Sequence, residues 1–243
     1  MPVPYAKVIV NPTAGASSTR RKWHHIKSLL KHFGLSFDYE YTEGAGHAIE
    51  LAKDAASNGY QHLVAVGGDG TVNEVANVIL HSDDGSNIAL GIISTGTGSD
   101  FARSMGIPRH YVTACSYLTS SRRILIDVGV VEYVSNDQSL KRFFVNAAGI
   151  GFDAAAVEST ERMPKYFGGT IPYLTGLLRA LIAYKNKSVV LSVGDMTEET
   201  RILSVVVANG NYFGGGMKVA PEAVLDDNLL DVVIVGISVS LIC

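Results

Sequence analysis

Residues 67–74, Gly-Gly-Asp-Gly-Thr-Val-Asn-Glu, set glycines beside two carboxylates and a hydroxyl. An apolar run, Leu63–Val66, comes before them. After them Val72, Val75, Ala76 and Ile79 recur at the spacing of one helix face. The stretch therefore reads as strand, tight turn, helix. Backbone N–H groups freed by glycine and the positive end of a helix make such a turn a cradle for an anion, with phosphate its natural ligand. A plain βα turn, in which glycine serves geometry alone, has the same letters.

Two further loops share this character. Asn11-Pro12-Thr13-Ala14-Gly15 follows the apolar run Ala6–Val10, and Ser94-Thr95-Gly96-Thr97-Gly98-Ser99-Asp100 follows Ile88–Ile93. Later in the chain, Asn146–Asp153 and Asn209–Met217 are again rich in glycine. Gly214-Gly215-Gly216 either bends over a ligand or forms a bulged hairpin. Asp226, Asp227 and Asp231 lie close in sequence. Such carboxylates suit a hard cation such as Mg²⁺, and equally a solvated turn.

The elements that position these loops alternate through the first half. Strands Ala6–Val10, Phe37–Tyr41, His62–Val66 and Ile88–Ile93 are separated by helical patterns around Trp23–Phe33, Ala48–Ala55 and Val72–Ile79. This order predicts a parallel sheet with helices on both faces and ligands at the carboxyl ends of the strands. The three loops converge only if their strands are neighbours. Near Arg122 the pattern changes. Ile124–Val134, Phe143–Ala148, Ser188–Val193, Ile202–Ala208, Met217–Val219 and Leu229–Val235 read as a largely antiparallel set. Two helical insertions interrupt it, one from near Ala154 and one over Ile171–Tyr184; the latter's apolar face packs on the sheet or touches lipid. The expected division is residues 1–123 and 124–243.

With 47% hydrophobic and 18% charged residues, the 243-residue chain can bury a large core. A net charge of −3 gives no ground for a nucleic-acid partner. Cys115 lies in an apolar helical pattern and Cys243 is the last residue, so no disulfide framework or metal spacing is visible, as fits a reducing cytoplasm. No signal peptide opens the chain and no run of 18 apolar residues predicts a spanning helix. Contact with a membrane would then be peripheral.

In combination these motifs resemble the diacylglycerol kinase catalytic domain family, in its bacterial lipid kinase branch related to sphingosine kinases. Gly67–Thr71 alone is shared with NAD kinases. Joined in order with Asn11-Pro12 and Gly15, with Thr42 and Gly46-His47-Ala48, with Gly96–Ala102, with Gly149–Ala154 and with Tyr212–Asp231, it covers nearly the whole chain. The resemblance implies a three-layer α/β nucleotide domain, a β-sandwich-like second domain and a cleft between them. It implies ATP as donor and a lipid hydroxyl at a membrane surface, diacylglycerol or similar, as acceptor. By position, Asn11, Pro12, Thr13, Ala14, Gly15, Thr42, Gly68, Asp69, Gly70, Thr71, Val72, Asn73, Glu74 and Thr97 would contact ATP. Asp69 and Asp100 would be the catalytic carboxylates, Asp69 near Mg²⁺ and the phosphates and Asp100 supporting from the facing loop. Val224, Asp227 and Leu229 match a structural Mg²⁺ site of some bacterial members.

Three departures stand out. Ser99 replaces the Asn usual in the third loop, and Asn228 replaces a usual Gly. Family members also continue past the strand after Asp231 into an Asp-Gly-Glu motif taken to include the catalytic base; no such motif follows Asp231 here. The expectation is a lipid kinase whose 243-residue form binds ATP with Mg²⁺ and is weak or inactive in turnover, with strand edges that invite a second copy. A non-catalytic nucleotide-binding homologue and an NAD kinase-like enzyme are the alternatives.

Overall fold

The computed structural model describes residues 5–83, 85–120, 122–151, 186–236 and 239–242. The helical insertions expected near Ala154 and over Ile171–Tyr184, and the end of the Gly149–Ala154 motif, lie outside the described residues.

The first domain is the expected alternation. Strands β1 (Ala6–Val10), β2 (Phe37–Tyr41), β3 (His62–Gly67) and β4 (Ala89–Ser94) form one parallel sheet in the order β2-β1-β3-β4. Helices α1 (Ala14–His32), α2 (His47–Ser57) and α3 (Asp69–His81) connect them, and a single 3₁₀ turn, Gly85–Asn87, precedes β4. β1 and β3 are buried along their whole length, which is why they read as unbroken apolar runs rather than alternating ones. Trp23, Ile26 and Leu30 of α1 cover one face with Val8, Val10, Val64 and Ile93. Ala48, Ala52 and Ala55 of α2 and Val72, Val75, Ala76 and Ile79 of α3 cover the other with Ile9, Leu63 and Ile92. From β1 the chain goes first to one side and then returns across to β3, so the order reverses between them. At that reversal, beyond the strand ends, sheets of this kind form the crevice in which ligands bind.

Two short helices follow, α4 (Asp100–Ser104) and α5 (Tyr111–Leu118). Cys115 of α5 is fully buried against α1 and β1, and burial pushes its thiol up to about 11. The unfolded thiol ionises first as pH rises, so this group's contribution to stability is present below about pH 9 and lost between 9 and 11. Cys115 is therefore expected to resist alkylation by iodoacetamide at pH 8 in the native protein and to react on unfolding in urea, as mass spectrometry would report.

The second domain is antiparallel. Strands β5 (Gly129–Ser135) and β6 (Gln138–Phe144) make a hairpin. β7 (Ala147–Gly151), β8 (Lys187–Val193), β9 (Met196–Ala208), β12 (Asp231–Gly236) and β13 (Val239–Ile242) make the main sheet, with β9 central; β10 (Tyr212–Phe213) and β11 (Met217–Lys218) close a small hairpin. β8 pairs with the first part of β9 and β7 with its last part, end to end along one edge, while β12 takes the other edge. Val206, Ala208, Ala220, Ala223 and Val233 form its core.

The structure corrects two strand expectations. Ile124–Val128 is not a strand, and Leu125 is 93% exposed; pairing begins at Gly129. The run Phe143–Ala148 is broken at Val145–Asn146, because the Asn146 carbonyl accepts the N–H groups of Asn209 and Gly210 instead of continuing one ladder.

Candidate functional site

Strands β1, β3 and β4 are neighbours, so the three loops meet at one end of the sheet, and each pair of loops is tied. Asn11 Nδ2 donates to Thr71 Oγ1 at 2.9 Å, joining the first loop to α3. The Asn11 side chain also accepts the Thr13 N–H at 3.1 Å and the Thr13 hydroxyl at 2.9 Å, which folds the loop over itself. Gly15, Ala16 and Ser17 then take left-handed backbone, φ 58°, 54° and 63°, before α1 proceeds right-handed. Crowding requires glycine at position 15: a Cβ there would lie 2.2 Å from the Thr95 carbonyl oxygen. Beneath it, the buried hydroxyls of Thr19 and Thr95 bond at 2.6 Å, linking the first loop to the third.

The second and third loops touch through backbone. The N–H groups of Thr95 and Gly96 both donate to the Gly67 carbonyl, at 2.8 and 3.1 Å. A Cβ on Gly96 would fall 2.5 Å from the Gly68 Cα. Asp69 Oδ1 accepts the Phe101 N–H at 3.0 Å, so the carboxylate caps the exposed donors at the start of α4. Thr71 and Val72 are buried under the turn, Gly70 is exposed, and the Asn73 carbonyl is taken by Asn77 of the next turn. From the edge strand, buried Thr42 donates its N–H to the Val10 carbonyl at 2.9 Å. Glu74 Oε1 accepts the Gly46 N–H at 3.1 Å, drawing the loop after β2 toward α3. Thr97 is exposed at the tip of the third loop and Pro12 half-buried in the first.

Asp100 is 6% exposed and bridges the two domains. Its Oδ2 accepts the Gly215 N–H at 2.7 Å, while Oδ1 is buried with no partner. Gly214, Gly215 and Gly216 have φ of 69°, 89° and 103°, and Gly216 packs where a Cβ would strike the Arg103 guanidinium at 2.9 Å. These glycines form the three-residue turn of the hairpin between β10 and β11, and the turn closes over Asp100. Arg103 lies over the Tyr212 ring at 5.3 Å. Ser104 Oγ reaches Asn146 Oδ1 at 3.2 Å, and Asn146 Nδ2 donates to the Tyr212 carbonyl at 2.8 Å. Sequence reasoning missed Ser104, Arg103 and Asn146 as a linking group. Asn146 stood inside a singled-out glycine-rich stretch, whereas Ser104 had no signal, because its partner is remote in the chain.

Val224, Asp227 and Leu229 stand in a separate turn before β12. Asp227 Oδ1 accepts the Leu229 N–H at 3.0 Å, and Asn228, in left-handed backbone at φ 64°, donates its N–H to Asp127 Oδ2 at 2.6 Å. The left-handed residue expected at this position is thus accommodated by Asn. Among the described residues no three of His, Cys, Asp and Glu group as a metal site. A cation at either place would therefore rest on carboxylate and carbonyl oxygen, water or ligand phosphate, the donor set Mg²⁺ takes. No helix among the described residues is long and apolar enough to cross a membrane.

Comparison with known proteins agrees with this geometry. Residues 5–131 match the diacylglycerol kinase catalytic domain, and residues 146–240 match the YegS C-terminal NAD kinase beta sandwich-like domain. The chain is 30% identical to the diacylglycerol kinase of Bacillus subtilis over 94% of its own length and 73% of that protein's. It is also 30% identical to a Klebsiella pneumoniae protein named "Probable lipid kinase YegS-like", over 93% of its own length and 72% of the relative's. A crystal structure of a diacylglycerol kinase from Bacillus anthracis superposes with a TM-score of 0.71 at 26% identity, covering 96% of this chain and 73% of that one. Two glycine-lined domains meeting over Asp69 and Asp100, and these likenesses along the chain, lead to one statement: the protein belongs to the diacylglycerol kinase catalytic domain family.

Proposed function

We propose that the chain binds ATP with Mg²⁺ at the converged loops and transfers the γ-phosphoryl group to the hydroxyl of a lipid, diacylglycerol or a similar one, presented at a membrane surface. The observation that carries the reading is the meeting of three interlocked phosphate-type loops with two carboxylates, one of which is held from the second domain. In this reading the division between donor and acceptor domains falls between Arg123 and Ile124.

The residues fit the donor. Asn11–Gly15 and Gly68–Glu74 surround the crevice with backbone N–H groups, Thr42 and Thr97 flank it, and the start of α3 supplies partial positive charge. They also fit the metal: Asp69 and the unpartnered Asp100 Oδ1 are hard donors beside that crevice. Mg²⁺ held there would supply positive charge to offset that of the phosphates; the transfer breaks the bond to the bridging oxygen and forms one to the lipid oxygen, whose proton passes to water. Asp69 also holds the start of α4 in place, so the third loop is set before a ligand arrives. Val224, Asp227 and Leu229 are assigned to a second, structural Mg²⁺ in the acceptor domain.

The test is ATP-dependent labelling of diacylglycerol, sphingosine and NAD, side by side, by the purified protein. Transfer to a lipid is expected. Transfer to NAD alone, or nucleotide binding with no transfer to any acceptor, would replace this reading by the enzyme or the binding protein weighed against it.

A further inference from the structure

Asn77 sits on α3, eight residues beyond Asp69 and about 12 Å along the helix, clear of the loops. Its side chain crosses to the hairpin of the second domain. Nδ2 donates to the Phe143 carbonyl at 2.9 Å, and Oδ1 accepts the Phe143 N–H at 3.0 Å. One side-chain amide thus pairs with both backbone groups of one residue, as a neighbouring strand would. Its second amide hydrogen goes to the Asn73 carbonyl at 2.8 Å, which fixes the rotamer on its own helix. The ring of His81, one turn on, meets the Phe143 ring edge-on at 4.9 Å.

Three residues after Phe143 comes Asn146, which holds Ser104 and the Tyr212 carbonyl at the site. Extended chain spans about 10 Å over that distance. The second domain is therefore fastened to the first at two points on one short, buried segment, Phe144-Val145. The near point lies among the groups at Asp100. The far point is Asn77.

We propose that Asn77 is a positioning residue: by gripping the backbone of Phe143 it sets the separation of the two domains at which the Gly215 N–H meets Asp100. It touches neither nucleotide nor acceptor and acts through β6. The two hydrogen bonds stand on the geometry, their joining of two domains on the division between Arg123 and Ile124, and the kinetic consequence on the kinase reading.

Spin labels at Lys53 of α2 and Glu222 of the second domain, both exposed, report the separation in a chain with Cys115 and Cys243 replaced by Ser. Asn77→Ala is expected to broaden a single narrow distance distribution or add a second population. Affinity for a fluorescent ATP analogue is expected to stay within about twofold, since the nucleotide loops lie wholly on the first domain, while kcat for lipid phosphorylation falls about tenfold or more. Phe143→Ala, which deletes the ring and keeps both hydrogen bonds, is expected to leave the distribution narrow. An unchanged distribution in Asn77→Ala would overturn the proposal. So would a change accompanied by loss of nucleotide affinity in the same proportion, the mark of a merely structural role. Should Asn77→Ala fail to fold, Asn77→Asp, which keeps the acceptor for the Phe143 N–H and loses the donor, carries the same measurement. Failure of the parent to transfer phosphate would count against the kinase reading and leave the distance result standing.

Discussion

Replacing Asp69 by Asn is expected to reduce ATP-dependent lipid phosphorylation by about 10²–10³-fold while leaving the fold nearly unchanged. The two side chains have the same shape, and the amide oxygen of Asn can still accept the Phe101 N–H that Asp69 Oδ1 now holds at 3.0 Å. What is lost is one negative charge beside the crevice, where it would offset the metal and phosphates in the transition state. Asp69→Ala removes the charge and the hydrogen bond together, so it should add about 1–3 kcal/mol of destabilisation that the Asn variant does not show. Initial rates with diacylglycerol, measured beside urea unfolding of each variant, separate these effects. A rate unchanged in both would remove this carboxylate from the chemistry.

Gly96→Ala is expected to damage the site from the backbone outward. The added Cβ would lie 2.5 Å from the Gly68 Cα and 3.3 Å from its nitrogen, and neither atom can rotate away as a side chain can. The loops are held together there by two N–H groups on the Gly67 carbonyl, so relief of the clash must part them. A cost of about 1–3 kcal/mol in stability is expected from overpacking. Because the parting separates the two loops proposed to face the phosphates, affinity for an ATP analogue should fall at least about tenfold. Gly44→Ala is the control, since a Cβ there meets nothing within 4 Å. Fluorescence titration with urea unfolding checks both; equal behaviour of the two alanine variants would mean that loop contact is dispensable for binding.

The first domain was legible because its signals are local. β1 and β3 lie buried on both faces and so appear as continuous apolar runs, and each helix shows one apolar face to the sheet. The glycines of Gly67–Thr71 and Ser94–Asp100 marked turns correctly, because glycine is needed where two backbones approach. What the letters do not carry is strand order. Nothing in Ala6–Val10 or Ile88–Ile93 says that both flank β3, and the convergence of the loops depends on that order. In the second domain the period fails at particular residues. The break at Asn146 is hidden inside an apolar run, and it exists only because Asn209 and Gly210, far along the chain, take its carbonyl. β10 is too short for any periodicity. Ser104, a hydroxyl at the end of a five-residue helix, matters only through Asn146 and Tyr212.

The end-to-end arrangement of β7 and β8 on one edge of β9 fixes how that edge is held. β7 ends at Gly151, opposite Ser204, and β8 begins on the same edge at Lys187, opposite Ile202. The two ends are thus neighbours on the central strand, whose other edge over Ile202–Ala208 is occupied by β12. Ends placed side by side in this way are anchored independently of what joins them, because β9 holds each by its own ladder.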